Sequence, residues 1–166
     1  MGLEQEIKDK YLAFRKKYPL PSFEDLDNDF VIVMLAEGKT ELVGNLLVAI
    51  RHRMTDAFNA ILNYLHGLFI PVPNFMVSMK EHEALEESDH KRLYQAIARL
   101  NLLVRKSWKV SIRWKDEKED AAFIKESFKE FQLLKKDIEY FIDKNIQTWE
   151  NVLSEKPKQP TYGHAH

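Results

Sequence analysis

Eight apolar residues, Val43, Leu47, Ile50, Met54, Phe58, Ile61, Leu65 and Leu68, follow one another at steps of three or four. An α-helix turns about every 3.6 residues, so this spacing stacks them into one stripe. A strand, whose successive side chains point to opposite faces, would scatter them. A chain carrying such a stripe must cover it with other elements. The spacing predicts a helix over residues 40–69, with Thr40 as its cap.

The same period recurs elsewhere. Leu3, Ile7, Tyr11 and Phe14 predict a helix over 3–18, ended by Pro19 and Pro21, because a residue before proline leaves the α region. Ser22 with Asp25 offers the next cap, and Phe23, Leu26, Phe30, Val33 and Met34 carry a helix to Gly38. Residues 30–35 also read as a buried strand. Pro71-Val72-Pro73-Asn74 is a turn or extended connection, and 75–87 is weak helix or irregular chain with an acidic end. Ser88-Asp89 offers a cap for a helix running to about Trp114, with Leu93, Ile97, Leu100, Val104, Trp108 and Ile112 on one side. Trp108, Val110, Ile112 and Trp114 also alternate as a strand would, but no second stretch offers an equal partner, which favours helix.

The last element, 117–153, is the longest, with Ile124, Phe128, Phe131, Leu134, Ile138, Phe141, Ile146, Trp149 and Leu153 on one face. It makes a rod of roughly 55 Å, against a radius of gyration near 15 Å for a domain of this length. Such a rod must kink, protrude or lie against a second chain. A hairpin turn at Lys115-Asp116 sets it antiparallel to the helix before it. The expected architecture is an all-α, single-domain bundle of four to five helices over residues 1–156, with 157–166 as a flexible tail.

Composition removes whole classes of chemistry. Among 166 residues there is no cysteine, which excludes disulfides, zinc thiolates, iron–sulfur clusters and a cysteine nucleophile. With 25 basic and 26 acidic residues the net charge is -1, so no global field draws the chain to nucleic acid or an anionic membrane. Five glycines and six prolines disfavour turn-rich β folds and phosphate-cradling loops. The first fourteen residues lack a signal-peptide core, and Glu6 stands where a myristoylation motif needs Ser or Thr. The apolar stretch from Leu42 to Ile70 is broken by Arg51, His52, Arg53 and Asp56, so it cannot span a membrane. A soluble, cytoplasmic protein is expected.

Two rows of polar residues stand out. From His90 to Lys115 there are eight Lys and Arg and no acid, and Arg92, Arg99, Lys106 and Arg113 recur at seven-residue intervals with Lys109 beside them. They form one row, expected roughly opposite the Leu93–Val104 stripe, suited to a polyanion or an acidic partner. The bland reading is a face neutralised by the acid-rich helix after it, with Arg105 near Glu126 and Lys91 near Glu139. The second row, on the 40–69 helix, comprises Glu41, Asn45, His52, Asp56, Asn59, Asn63 and His66. It contains no Lys, which suggests a hydrogen-bonded polar seam or subunit interface, with a plain solvent face and an acid–base pair or metal half-site of His52 and Asp56 as the alternatives.

Metal and nucleotide signals are fragments. Glu81-His82-Glu83 and Glu87-x-x-His90 fall short of a helical metal motif. Glu83-x-x-Glu86 and Glu117-x-x-Asp120 resemble the paired carboxylates of helical nucleotide pyrophosphohydrolases, across a longer gap; that resemblance implies Mg²⁺-dependent nucleotide hydrolysis. Arg51-His52 resembles the start of the Arg-polar-His pattern of helical ribonuclease domains, but Ala57 and Phe58 occupy the reach of its histidine. No complete catalytic set, cofactor site or metal site is present. The expectation is a helical interaction or adaptor module, homodimeric, using the long last helix and the under-charged third one. A nucleic-acid or acidic-partner binder acting through Arg92, Arg99, Lys106, Lys109 and Arg113 is the alternative, and a metal-dependent nucleotide hydrolase the second.

Overall fold

Apolar residues at helical spacing build rods here, and polar groups at their ends decide where each begins. The computed structural model describes residues 2–36, 46–113 and 116–155. Thr40, Glu41, Asn45, Trp114, Lys115 and the tail 157–166 lie outside them. Among the described residues are six α-helices and one 3₁₀ turn: α1 (Leu3–Lys17), α2 (Phe23–Phe30), the turn Ile32–Ala36, α3 (Leu46–Phe69), α4 (Met76–Glu83), α5 (Glu87–Ile112) and α6 (Glu117–Ser154). The protein is an all-α bundle, with more helices than the four to five expected.

Two local causes account for the extra elements. Val31 turns into the left-handed region (φ 50, ψ 52) and donates its N–H to Asp27 O at 2.7 Å, ending α2 early. The Asp27 carboxylate then accepts from Val33 N at 2.7 Å, so the chain continues over Ile32–Ala36 as a 3₁₀ turn rather than as α-helix or strand, while the expected stop at Gly38 lies outside the described residues. Within 75–87 the expected weak helix is α4, pinned by Ser78, whose buried hydroxyl donates to Gly67 O at 2.7 Å and accepts from Val72 N at 2.9 Å.

The start of α5 also differs from expectation. Its N-cap is Glu86, and Asp89 sits three residues on, accepting the Glu86 N–H in a capping box. At the other end the helix runs through Ile112, so the alternating Trp108–Ile112 pattern does not form strand. Asp116 caps α6 by accepting from Lys118 N and Glu119 N.

Three long helices, α3, α5 and α6, form the core in up-down-up order. Leu47, Ile50, Met54, Phe58 and Leu65 of α3 pack on Leu93, Leu100 and Val104 of α5 and on Ile124, Phe131, Ile138 and Phe141 of α6. The rings of Phe30, Phe58 and Phe131 meet at 5.1–5.7 Å between centroids and bring α2 onto this core. Buried Tyr11 joins α1 to α2 through Phe23 and donates to Pro21 O. With 38 residues, about 57 Å, α6 outruns its neighbours without interruption, and Leu153 near its end is 86% exposed.

A β-branched residue in the left-handed region costs about 1 kcal/mol or more relative to glycine. Val31 is 40% exposed, so its loss removes little packing. Val31→Gly should raise stability by about 1 kcal/mol, seen as a higher urea midpoint at unchanged slope.

Candidate functional site

The basic row does not point away from the core. Arg92, Arg99, Lys106 and Arg113 flank the buried stripe of α5, on the side that meets α6. Each has a carboxylate there: Arg92 with Asp137 at 2.5 Å, Arg99 with Glu130 at 2.5 Å, Lys106 with Glu126 at 3.4 Å, and Arg113 with Glu119. Arg92 also lies 4.2 Å from the centroid of the Tyr140 ring. The hairpin sets the row beside the acids of α6 as expected, but Lys106 rather than Arg105 takes Glu126, and Arg92 pairs with Asp137 while among the described residues no ion pair joins Lys91 to Glu139. Lys109 faces outward with Lys91 and Arg105, and Arg105 stacks on Trp108 at 4.1 Å instead of reaching Glu126.

The polar row of α3 lies opposite the core. His52, Asp56, Asn59, Asn63 and His66 are all exposed, and none takes part in a side-chain hydrogen bond among the described residues. Within one chain they form an open polar face rather than a packed seam. No bonded His52–Asp56 pair is formed.

Two polar clusters are buried instead. At the end where α6 begins, Arg51 and Asp120 are 4% and 5% exposed and joined at 2.6 Å. Arg51 also donates to Ser111 Oγ at 2.7 Å and to Ser107 Oγ at 3.2 Å, and Thr55 Oγ1 lies 2.8 Å from Ser107 Oγ. At the opposite end, buried Asp89 accepts from Tyr140 at 2.7 Å, Lys144 at 2.5 Å and Glu86 N at 2.8 Å. Burial alone would raise the Asp89 carboxyl, but these three donors outweigh it and hold it down to about 2.

The nucleotide-hydrolase fragments fall apart on this frame. Asp120 is committed to Arg51, and hydrogen bonds from Lys17 and Tyr18 hold the Glu117 carboxyl below its ordinary range. Glu83 and Glu86 sit at the far end of α5, about 39 Å away along a helix of 26 residues. The ribonuclease fragment splits likewise, with Arg51 buried and His52 exposed. Near Glu81-His82-Glu83 the two imidazoles of His82 and His90 meet at 5.3 Å, and His82 Nδ1 bonds Leu68 O. Among the described residues no three acids or histidines gather as metal ligands.

The surface that the sequence reading passed over is the end of the bundle around α4. Ile70, Val72, Phe75, Met76 and Met79 all stand exposed there, Ile70 at 66% and Met76 at 65%. Beside them a groove of about 390 Å³ runs between α3, α4 and the end of α6, lined by Tyr64, Glu81, Ile142, Asn145, Ile146, Trp149, Glu150 and Leu153. Trp149 Nε1 donates to Glu81 at 2.9 Å and Asn145 Nδ2 to the Tyr64 hydroxyl at 2.6 Å. Burial, reinforced by Glu81, pushes the Tyr64 phenol up to about 12. Asn145 is 94% buried, yet its Oδ1 has no donor among the described residues. The run Ile70-Pro-Val-Pro-Asn-Phe-Met-Val-Ser-Met79, ten residues without a charge, was the signal in the sequence.

No protein-family model, curated protein or solved structure matches the chain.

Asp89 sets a pH dependence. Its folded pKa lies below the ordinary 3.8, so its stabilisation, about 2 kcal/mol, is present above pH 4 and lost as pH falls toward 2. Urea titrations across that window should show this loss, and Asp89→Asn should flatten it at the cost of a lower plateau near neutrality.

Proposed function

We propose that the protein is a non-catalytic helical interaction module that pairs with a second copy of itself through the apolar end of the bundle. The observation that carries this reading is the exposed run from Ile70 to Met79 beside the open groove. Scattered apolar residues are ordinary on a surface, but a contiguous patch of this size marks a contact site. Together with Ile142, Ile146 and Leu153, these side chains expose on the order of 1,000 Å², the area one partner contributes to a standard interface.

The same end holds a projecting loop and a groove, which suits an isologous pair in which each fills the other. Lys80 is the one charge between Ile70 and Lys80, and the groove is rimmed by Glu81 and Glu150, so a reciprocal arrangement joins opposite charges. Asn74 at the loop tip supplies an amide donor of the kind that Asn145 Oδ1 lacks. The groups that suggested chemistry are committed elsewhere: Asp120 and Asp89 in buried bonds, and four of the five basic-row residues in ion pairs. Those pairs disfavour the polyanion reading, which needs the row unpaired. No helix among the described residues is long and apolar enough to cross a membrane.

Sedimentation should give a mass of about twice 19.6 kDa at micromolar concentration. Phe75→Glu and Ile146→Glu should each return it to the monomer with helix content unchanged, since both side chains are half exposed. A monomer mass up to about 100 μM would end the self-pairing reading.

A further inference from the structure

Three long helices leave three troughs between them; one is closed and a second is largely covered. The α5/α6 trough is closed by the four ion pairs of the basic row. The α3/α6 trough is covered by the N-terminal elements in its first half, where Asp29 of α2 binds Gln132 and Lys135 and Tyr18 binds Glu117. Its second half is covered in part by α4, through Glu81 and Trp149, and the remainder is the groove of the self-pairing surface. Among the described residues, nothing comparable covers the α3/α5 trough; only α3 and α6 pack extensively on α5.

The open trough has a patterned wall. Tyr94, Ala98, Asn101, Arg105, Trp108 and Ile112 recur at steps of four and three along the outer side of α5, turned away from α6. That is the spacing of a helix-packing seam, a second one on a helix whose first seam is already buried. Its large members stand in solvent: Tyr94 is 61% exposed, Trp108 53% and Ile112 82%. Arg51 with Ser107 and Phe69 with Tyr94 fix the two helices antiparallel, so His66, Asn59 and His52 of α3 fall beside Tyr94, Asn101 and Trp108. The polar row of α3 is thus the second wall of this trough.

We propose that this trough is a docking site for an acidic amphipathic helix of a partner protein, which would complete a fourth position around α3 and α5. Charge selects the partner. Lys91, Arg105 and Lys109 border the seam, no carboxylate occurs between His90 and Arg113, and Asp56 is the one acid on the described α3 wall. A basic or neutral helix leaves these cations unmatched, whereas Glu or Asp flanking a Leu-rich stripe pairs with them. Asn101, midway along the seam, is a polar residue at a core-type position; its Nδ2 bonds Ile97 O at 3.1 Å, and its Oδ1 would set the register of the incoming helix by accepting from it. Tyr94 to Ile112 spans about 27 Å, so the partner segment is close to three heptads long. This site goes beyond the self-pairing surface and is separate from it, because that surface is built from the Ile70–Met79 run, α4 and the end of α6 and uses no residue of α5.

The test uses the full chain, labelled with ¹⁵N, and two synthetic three-heptad peptides. Both carry the same leucine seam; one has Glu and the other Lys at the flanking positions. The Glu peptide should shift the amides of Tyr94, Asn101, Trp108 and Ile112, and its affinity should fall about tenfold on raising salt from about 0.05 to 0.3 M. Trp108→Ala and Ile112→Asp, both exposed and tolerated by the fold, should each weaken it by about tenfold or more. The proposal is overturned if about 1 mM Glu peptide leaves those amides unmoved, if the Lys peptide binds as well, or if Trp108→Ala binds like the parent. It is also overturned if the shifts map to Phe75 and Ile146, or if Trp108→Ala abolishes self-association, since the trough then serves a second copy. Phe75→Glu, monomeric on the reading above, should bind the Glu peptide unchanged, which separates failure of this site from failure of the dimer.

Discussion

A guanidinium and a carboxylate held in a dry core decide how the three long helices sit. Arg51 of α3 reaches Asp120 of α6 at 2.6 Å and the Ser107 and Ser111 hydroxyls of α5, with all four groups away from bulk water or nearly so. Removing two charges from water is expensive, and only complete hydrogen bonding offsets it. Here Arg51 Nε bonds Asp120 Oδ1 and Nη1 bonds the Ser107 and Ser111 oxygens, and the position of Asp120 in the first turns of α6 adds the favourable end of the helix dipole. Sliding any one helix by a turn would strand a buried charge, which costs far more than the loss of one apolar contact. A register lock of this kind tells a greasy bundle which of its near-equivalent packings to adopt.

A second lock works at the far end, roughly 36 Å along α6, where Asp89 holds Tyr140 and Lys144. Between the locks, the four ion pairs of α5 and α6 run along the surface. Each is exposed enough to add little stability, but the set matches only one alignment of the hairpin. This use of charge has a functional consequence. The acids and bases that might serve catalysis or phosphate binding are consumed in holding helices together. What is left outward is the apolar loop and groove around α4, the aromatic outer seam of α5 with Lys91, Arg105 and Lys109, and the polar row of α3. Those surfaces carry the two proposed contacts.

Much of the fold was legible because helical spacing is a strong signal. The stripes of α1, α3, α5 and α6 lie where the apolar residues recur, and the hairpin register follows from chain length about residue 115. The break at Val31 was hidden, since nothing in a valine announces a left-handed turn; the cause is the Asp27 carboxylate reaching forward to Val33. The placement of the basic row is not fixed by its spacing. A row on the flank of a buried stripe and one opposite it both look periodic, and only the presence of a neighbouring helix tells them apart. The absence of lysine favours a semi-buried seam for the α3 polar row over a solvent face, yet the row is exposed, because amides and imidazoles are, like lysine, well solvated. Arg51 and Asp120 were seen only as motif fragments, since pairing across 69 residues leaves no local trace. The α4 end was undervalued because its apolar residues follow no helical period; their exposure, not their pattern, makes them a surface.

The register lock is open to a direct measurement. Urea unfolding of Arg51→Met, Asp120→Leu and the double variant forms a thermodynamic cycle. Each single change should cost about 3–5 kcal/mol, because it leaves its partner charged and buried, while the double variant should recover most of that loss. A coupling of about 2 kcal/mol or more is the predicted result. Additive losses, or single variants as stable as the parent, would show that the pair does not hold the three helices in place.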